Sequence, residues 1–266
     1  MHSNDPHEIA KEDDGEAFDK TTSKGRENGL FQACMKSIRG AHVTSNRLRA
    51  GLVLAGLFTD KSIYREVLSM FYVVTKELEE KLDTLKVSDE ICQKIASLDY
   101  NFSKGYEKDM AVLYGDDWET IIEDLIQKNK VARYYREMVR NMDSGTQLAG
   151  AAFVLWGALI IGGGAVAMPR VKNLCGKDAI NVFKDVTGPG REERRNNFVA
   201  LWDSLASPGS SEFEEIVTFS QECMRCNNNI FTSLQRSPWW LNYFITAGVG
   251  IGAICIVILQ RRIIKS

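Results

Sequence analysis

The chain carries little net charge: 33 Lys and Arg stand against 35 Asp and Glu, leaving −2 over 266 residues. Cations are interspersed with acids, as in EKDMAVLYGDDWETIIEDLIQKNKVARYYREMVR, so the concentrated basic patch of a nucleic-acid binder is missing. A cleavable N-terminal signal is missing too, and the six cysteines are widely scattered, which favours a reducing cytosolic setting over a disulfide framework. Cys223 and Cys226 form one CxxC with no second Cys or His pair; two helix thiols, or a redox pair, fit better than zinc. Alternating strand patterns and hairpin signals are absent. Histidine is scarcest of all, with three in the whole chain.

What is present is helical. Residues 1–27 are polar and acidic and form an expected disordered leader. From Gly29 to Leu234 apolar residues recur at three and four, as at Val67, Met70, Phe71 and Val74, and Ser88-Asp89-Glu90 reads as a helix start. The segments GLFQACMKSIRGAHV, SIYREVLSMFYVVTKELEEKLDTL, SDEICQKIASLDYNFSKGYEKDMAVLYG and DWETIIEDLIQKNKVARYYREMVRNM all carry this spacing. The expected fold is therefore all-α, a multi-helix domain over residues 28–235 with turns at YGDD, NMDSG and TGPG. VTGPGREERRNN is expected to be its loosest segment.

Two stretches lack charge altogether. Leu148 to Met168 runs for 21 residues, but five are glycine and six alanine, and Gly162, Gly163 and Gly164 in succession should bend or open a helix. A broken helix facing lipid leaves backbone groups unpaired, so this stretch reads as buried in protein. Leu241 to Leu259 is different: 19 residues, flanked by Trp239 and Trp240 on one side and Arg261 and Arg262 on the other. Residues 239–260 are the expected transmembrane tail anchor, followed so closely by the end of the chain that insertion comes after synthesis. Gly248 and Gly252 add a weak GxxxG.

His2 and His7 fall in the leader, so His42 is the only imidazole of the expected domain. It follows the amphipathic LFQACMKSIRGA, with Lys36 and Arg39 upstream. Downstream come FYVVTKELEEKL, then EKDMAVLYGDDWE, then the glycine-broken AAFVLWGALIIGGG. This order resembles the heme oxygenases. The ungapped spacing from Leu78-Glu79-Glu80 back to His42 is the family's spacing to its proximal histidine, and Asp109, Met110, Ala111, Tyr114, Gly115 and Trp118 match a family pattern. The resemblance covers about residues 28–235, and the family too ends in a membrane anchor.

The resemblance implies that His42 is the iron ligand, that Lys36 and Arg39 meet heme propionates, and that Leu148–Met168 is the distal helix kinked over the ring. It also implies heme as substrate and cofactor, O2, and NADPH electrons from a cytochrome P450 reductase-type partner. The family's distal Gly-Asp-Leu-Ser-Gly-Gly is altered. Leu159 takes the place of the aspartate that organises proton-delivering water, or Ala158 does with a one-residue shift; Ile161 replaces the serine, and Gly162 and Gly163 match the closing glycines. Phe153 stands for the distal tyrosine, and Asn229 matches the asparagine of the distal hydrogen-bond network. Val199 and Asp203 occupy propionate-pairing basic positions, with Arg191, Arg194 and Arg195 nearby as replacements or as a charged loop.

Two readings result. One is a membrane-anchored heme oxygenase, with impaired turnover, that opens heme to biliverdin, carbon monoxide and ferrous iron. The other is a heme-binding sensor or carrier, or a heme-free membrane module, on the same fold. The expected location is the cytosolic face of the endoplasmic reticulum, with the mitochondrial outer membrane as the alternative.

Overall fold

The computed structural model describes residues 29–41 and 56–234. The acidic leader, His42 and the tail 239–260 lie outside the described residues. Helices run in the order α1 (Leu30–Ala41), α2 (Lys61–Leu85), α3 (Glu90–Ala96), α4 (Phe102–Tyr114), α5 (Trp118–Lys128) and α6 (Lys130–Arg140). Then come α7 (Gly145–Gly157), a π-helical turn (Ala158–Gly163), α8 (Gly164–Cys175), α9 (Asn181–Thr187), α10 (Arg191–Leu205) and α11 (Ser211–Ser233). No strand occurs among the described residues, so the all-α expectation holds.

Two long helical segments of the sequence are each cut in two, and local chemistry shows why. Between α3 and α4 Asp99 adopts a left-handed φ of 53°, a conformation that aspartate tolerates better than most residues. Asn101 then caps α4 through Lys104 N–H. Between α5 and α6 Asn129 leaves helical geometry and caps α6, accepting from the N–H of Val131 and Ala132 at 3.0 Å each. The expected loose segment is shorter than its composition implies. Only residues 188–190 are loop; Gly190, at φ 81°, starts α10, and REERRNN is helical. Arg194 folds back onto the carbonyls of Pro189 and Gly188, which holds that turn closed.

Carboxylates of one helix receive the N-termini of others. Glu79 on α2 accepts Phe102 N–H at 2.7 Å and Ser103 N–H at 3.1 Å, fixing the start of α4. Asp89 accepts Cys92 N–H of its own helix and Gly145 N–H at the start of α7, the second at 2.8 Å. Asp109, fully buried on α4, accepts Asn181 N–H at 2.7 Å, Asn181 Nδ2–H at 2.8 Å and Val182 N–H at 3.0 Å, holding α9. Each carboxylate satisfies donors that a helix start leaves open and meets the positive end of its dipole.

α7 is buried along nearly its whole length, and its small residues explain how. A Cβ on Gly150 would stand 2.6 Å from Phe219 Cβ and 2.8 Å from Ser220 N, so α7 and α11 touch backbone to backbone. Thr146 donates to Glu215 at 2.8 Å, four residues before that contact on each helix, so the two run parallel. No single described helix is long and apolar enough to cross a membrane; the pair Gly145–Ile161 and Gly164–Cys175, bent by 68°, passes by length and composition. Its first arm is the most buried helix of the fold, as expected for a broken apolar helix packed in protein.

Candidate functional site

The bend in the long apolar segment is a π turn. Gly164 N–H donates to Leu159 O, five residues back, which is the i→i−5 bond that defines this geometry. A Cβ at Gly164 would lie 2.7 Å from Leu159 O and 2.7 Å from Val186 Cγ2 on α9. This glycine lets the turn widen and α9 close on it. Glycine at 145, 150 and 164 thus serves close contacts within the protein. Gly162 and Gly163 lie inside the π turn.

Around the bend the side chains divide by exposure. Ala158 is exposed, Leu159 and Ile161 are half-buried, and Ile160 is buried at 2%. Phe153, one turn earlier, sits in an aromatic cluster, 5.5 Å from Phe31 of α1 and 6.0 Å from Trp202 of α10. Phe198 stacks on Trp202 at 4.1 Å, and a Cβ on Gly157 would lie 3.6 Å from the edge of the Phe198 ring. The cluster joins α1, α7 and α10 into one wall. Along Leu148–Met168 the only side chain with an N–H or O–H is Trp156, and its buried indole N–H has no partner among the described residues.

Lys36 and Arg39 are exposed on α1. His42, next in sequence after Ala41, lies outside the described residues. Asp203, an acid at one of the propionate-pairing positions, accepts Phe31 N–H at 2.9 Å. Val199 is half-buried in the core on the same helix. Arg194 donates to the backbone carbonyls of Pro189 and Gly188. Asn229 is exposed on α11; carried forward at equal rise, the parallel register with α7 brings it about level with the π turn. The buried asparagine on α11 is Asn227, whose Oδ1 has no partner among the described residues. The spacing of Ser220, Cys223, Asn227 and Ile230 marks that stripe, and counting it in the sequence would have singled out Asn227.

The described cysteines are free; Cys223 and Cys226 are buried, and burial pushes the Cys226 thiol up to about 11. No group of three potential metal-binding side chains occurs among the described residues.

Residues 35–233 match the family model for heme oxygenase. The chain belongs to the heme oxygenase family. Its members are oxidoreductases that bind and degrade heme. The fold agrees. Heme oxygenase-1 from the cyanobacterium Synechocystis, solved with heme, superposes with a TM-score of 0.62 at 19% identity, covering 87% of this chain and 96% of that one. Heme oxygenase 2 from Chlamydomonas reinhardtii, solved without heme, gives 0.65 at 22%, covering 77% and 97%. The Leptospira interrogans heme oxygenase gives 0.61 at 20%, covering 76% and 100%. At these identities the likeness is one of fold. A comparison with curated proteins returns no match.

The residues present fit heme as an apolar plate. The bend offers half-exposed aliphatic surface backed by a packed wall, with Ile38 and Met35 of α1 half-buried against the same core. Exposed Lys36 and Arg39 suit carboxylates at its edge. What the bend does not offer is a side chain that can hold or move a proton.

Proposed function

We propose that this chain is a membrane-anchored heme oxygenase of slowed turnover. It binds heme through His42 and opens the ring to biliverdin, carbon monoxide and ferrous iron with O2 and electrons from a cytochrome P450 reductase-type donor. Family membership supports the reaction; the observation that carries the slowed turnover is the π turn, where Ala158, Leu159, Ile160 and Ile161 present only hydrocarbon.

When bound, heme supplies both the redox-active iron and the ring that is cleaved. His42 offers neutral imidazole nitrogen to it, and Lys36 and Arg39 pair with the propionates. The bend lines the site with hydrocarbon side chains. Leu159 neither donates nor orders a proton carrier, so protons come from water held by the open backbone of the turn or by Asn229. Slow proton delivery lowers the yield of biliverdin per heme. The same observation favours a second reading, a heme-binding protein without oxygenation. Leu241–Leu259 anchors the domain to the cytosolic face of the endoplasmic reticulum, or of the mitochondrial outer membrane.

One experiment tests the assignment. Hemin added to the full chain in detergent gives an optical spectrum that His42→Ala changes, with weaker binding; an unchanged spectrum and affinity would remove His42 as ligand. With reductase and NADPH, Leu159→Asp, or Ala158→Asp beside it, raises biliverdin formed per heme. If the wild-type chain already matches an active relative and neither substitution increases the yield, turnover is not limited at this position.

A further inference from the structure

α1 has no acidic residue in its first turn, so its opening donors look elsewhere. α10 supplies the acceptor: Phe31 N–H donates to Asp203 Oδ1 at 2.9 Å, across 172 residues of sequence. Gly29 lies so close that a Cβ there would stand 2.5 Å from the same oxygen. Phe31 closes the contact with its ring 5.5 Å from Phe153 and 6.5 Å from Phe198. Farther along α1, Cys34 is fully buried and accepts from Ser220 Oγ at 3.5 Å. α1 is therefore pinned at its start on α10 and near its middle on α11. A carboxylate suits the first pin because the N-terminus of a helix is its positive end; a lysine or arginine at 203 could not make it.

We propose that Asp203 is a positioning residue for the iron ligand: by receiving the start of α1 it sets, in heme-free protein, the direction in which α1 leads to His42. This rests on the heme reading above. The leverage comes from helix geometry. From Phe31 to the Cys34–Ser220 contact is about 4.5 Å of helix, and from there to Ala41 about 10 Å. A helix released at its start and pivoting on Cys34 moves its far end about twice as far as its near end. A shift of about 1 Å at Phe31 becomes about 2 Å beside His42, enough to spoil ligation.

The test uses the full chain in detergent, first without heme. Amide hydrogen exchange is measured over residues 29–41 and, as internal reference, over α7 and α11, for the wild type, Asp203→Leu, Asp203→Asn and Gly29→Ala. Asp203→Leu has no acceptor, and α1 exchanges about tenfold faster while α7 and α11 are unchanged; Asp203→Asn retains an acceptor oxygen and stays within about threefold of wild type. Gly29→Ala keeps every polar group yet presses on the same contact, and loosens α1 in the same sense, which covers the case of Asp203→Leu failing to fold. Hemin is then added. Asp203→Leu releases it about tenfold faster with an altered spectrum, and Asp203→Asn restores both. Unchanged exchange in Asp203→Leu and Gly29→Ala overturns the pin. A loosened α1 with unchanged hemin spectrum and release overturns its hold on the ligand. If the wild type takes up no hemin, the heme reading fails and the positioning role with it, while the heme-free exchange still reports on the pin separately.

Discussion

Replacing Gly164 with alanine tests whether the π turn is built by contacts or merely permitted by a glycine-rich sequence. The added methyl would lie 2.7 Å from Leu159 O and 2.7 Å from Val186 Cγ2, well inside ordinary contact. Leu159 O belongs to the backbone of the turn and cannot swing away. Overpacking of this kind costs about 1–3 kcal/mol, and loss of the Gly164–Leu159 hydrogen bond about 1 more. Alanine returns about 1 kcal/mol through helix propensity. The net expectation is a loss of about 2 kcal/mol. Gly157→Ala is the control, because its methyl would meet Phe198 at 3.6 Å, which is comfortable. That substitution should be neutral or stabilise by up to about 1 kcal/mol.

Urea unfolding of the full chain in detergent, monitored by circular dichroism, gives both values. The two alanines should differ by about 2–3 kcal/mol in opposite directions. Gly164→Ala carries a second signature, since converting the turn to α-helix removes one residue of register and rotates α8 by about 100°. Val171, now fully buried, would leave the core, so α8 should lose amide protection while α7 keeps it. Equal effects at 157 and 164 would refute the argument that close contact at Gly164 holds the turn.

Asp109→Ala deprives Asn181 and Val182 of three hydrogen bonds and should cost about 2–4 kcal/mol in thermal or urea unfolding, with α9 the first element to lose protection. In the wild type, burial raises the Asp109 carboxyl above 3.8, outweighing the hydrogen bonds from Val182 and Asn181. The folded state therefore holds that proton more tightly than the unfolded chain. Its contribution to stability is full below pH 3.8 and declines as pH rises through the higher folded value, a component of the pH–stability profile that Asp109→Asn should abolish. Deleting residues 241–266 should move the protein from the membrane pellet to the soluble fraction; retention after alkaline extraction would return Leu148–Met168 to consideration as a span.

The helical class, the burial of Leu148–Gly157 and the break near the triple glycine were all legible from periodicity and composition; the arm beyond the break is more open than expected, with Val166 exposed. The cuts at Asp99 and Asn129 were not, because each depends on one residue leaving helical geometry inside an uninterrupted apolar pattern. Alone, Asn129 reads as a solvated polar residue; its capping bonds to Val131 and Ala132 and its contact with Ser233 need the tertiary structure. Asp203 shows the limit more sharply. Position matching could only mark it as an acid at a propionate-pairing position, whereas its partner is a backbone N–H that no sequence pattern displays. Asn229 came from the same matching, and the stripe on α11 leaves it on the exposed face while Asn227 is buried.

Two of the residues by which this chain resembles its family join helices in the structure. Glu79 of the Leu-Glu-Glu run starts α4, and Asp109 of the second pattern starts α9; Asp109 is fully buried and Glu79 half-buried, and burial raises both carboxyls above their ordinary range. Substituting either leaves buried donors unpaired, at a cost comparable with a large share of a domain's net stability. Leu159 is under no such constraint. It lies half-buried on a turn whose geometry depends on Gly164 and on backbone bonds, so its side chain can change without altering the fold. Fold-specifying and proton-delivering positions are therefore physically separate in this architecture. A chain can retain the first while its second drifts to hydrocarbon, and only chemistry measured at the bend distinguishes an oxygenase from a protein that holds heme and leaves it whole.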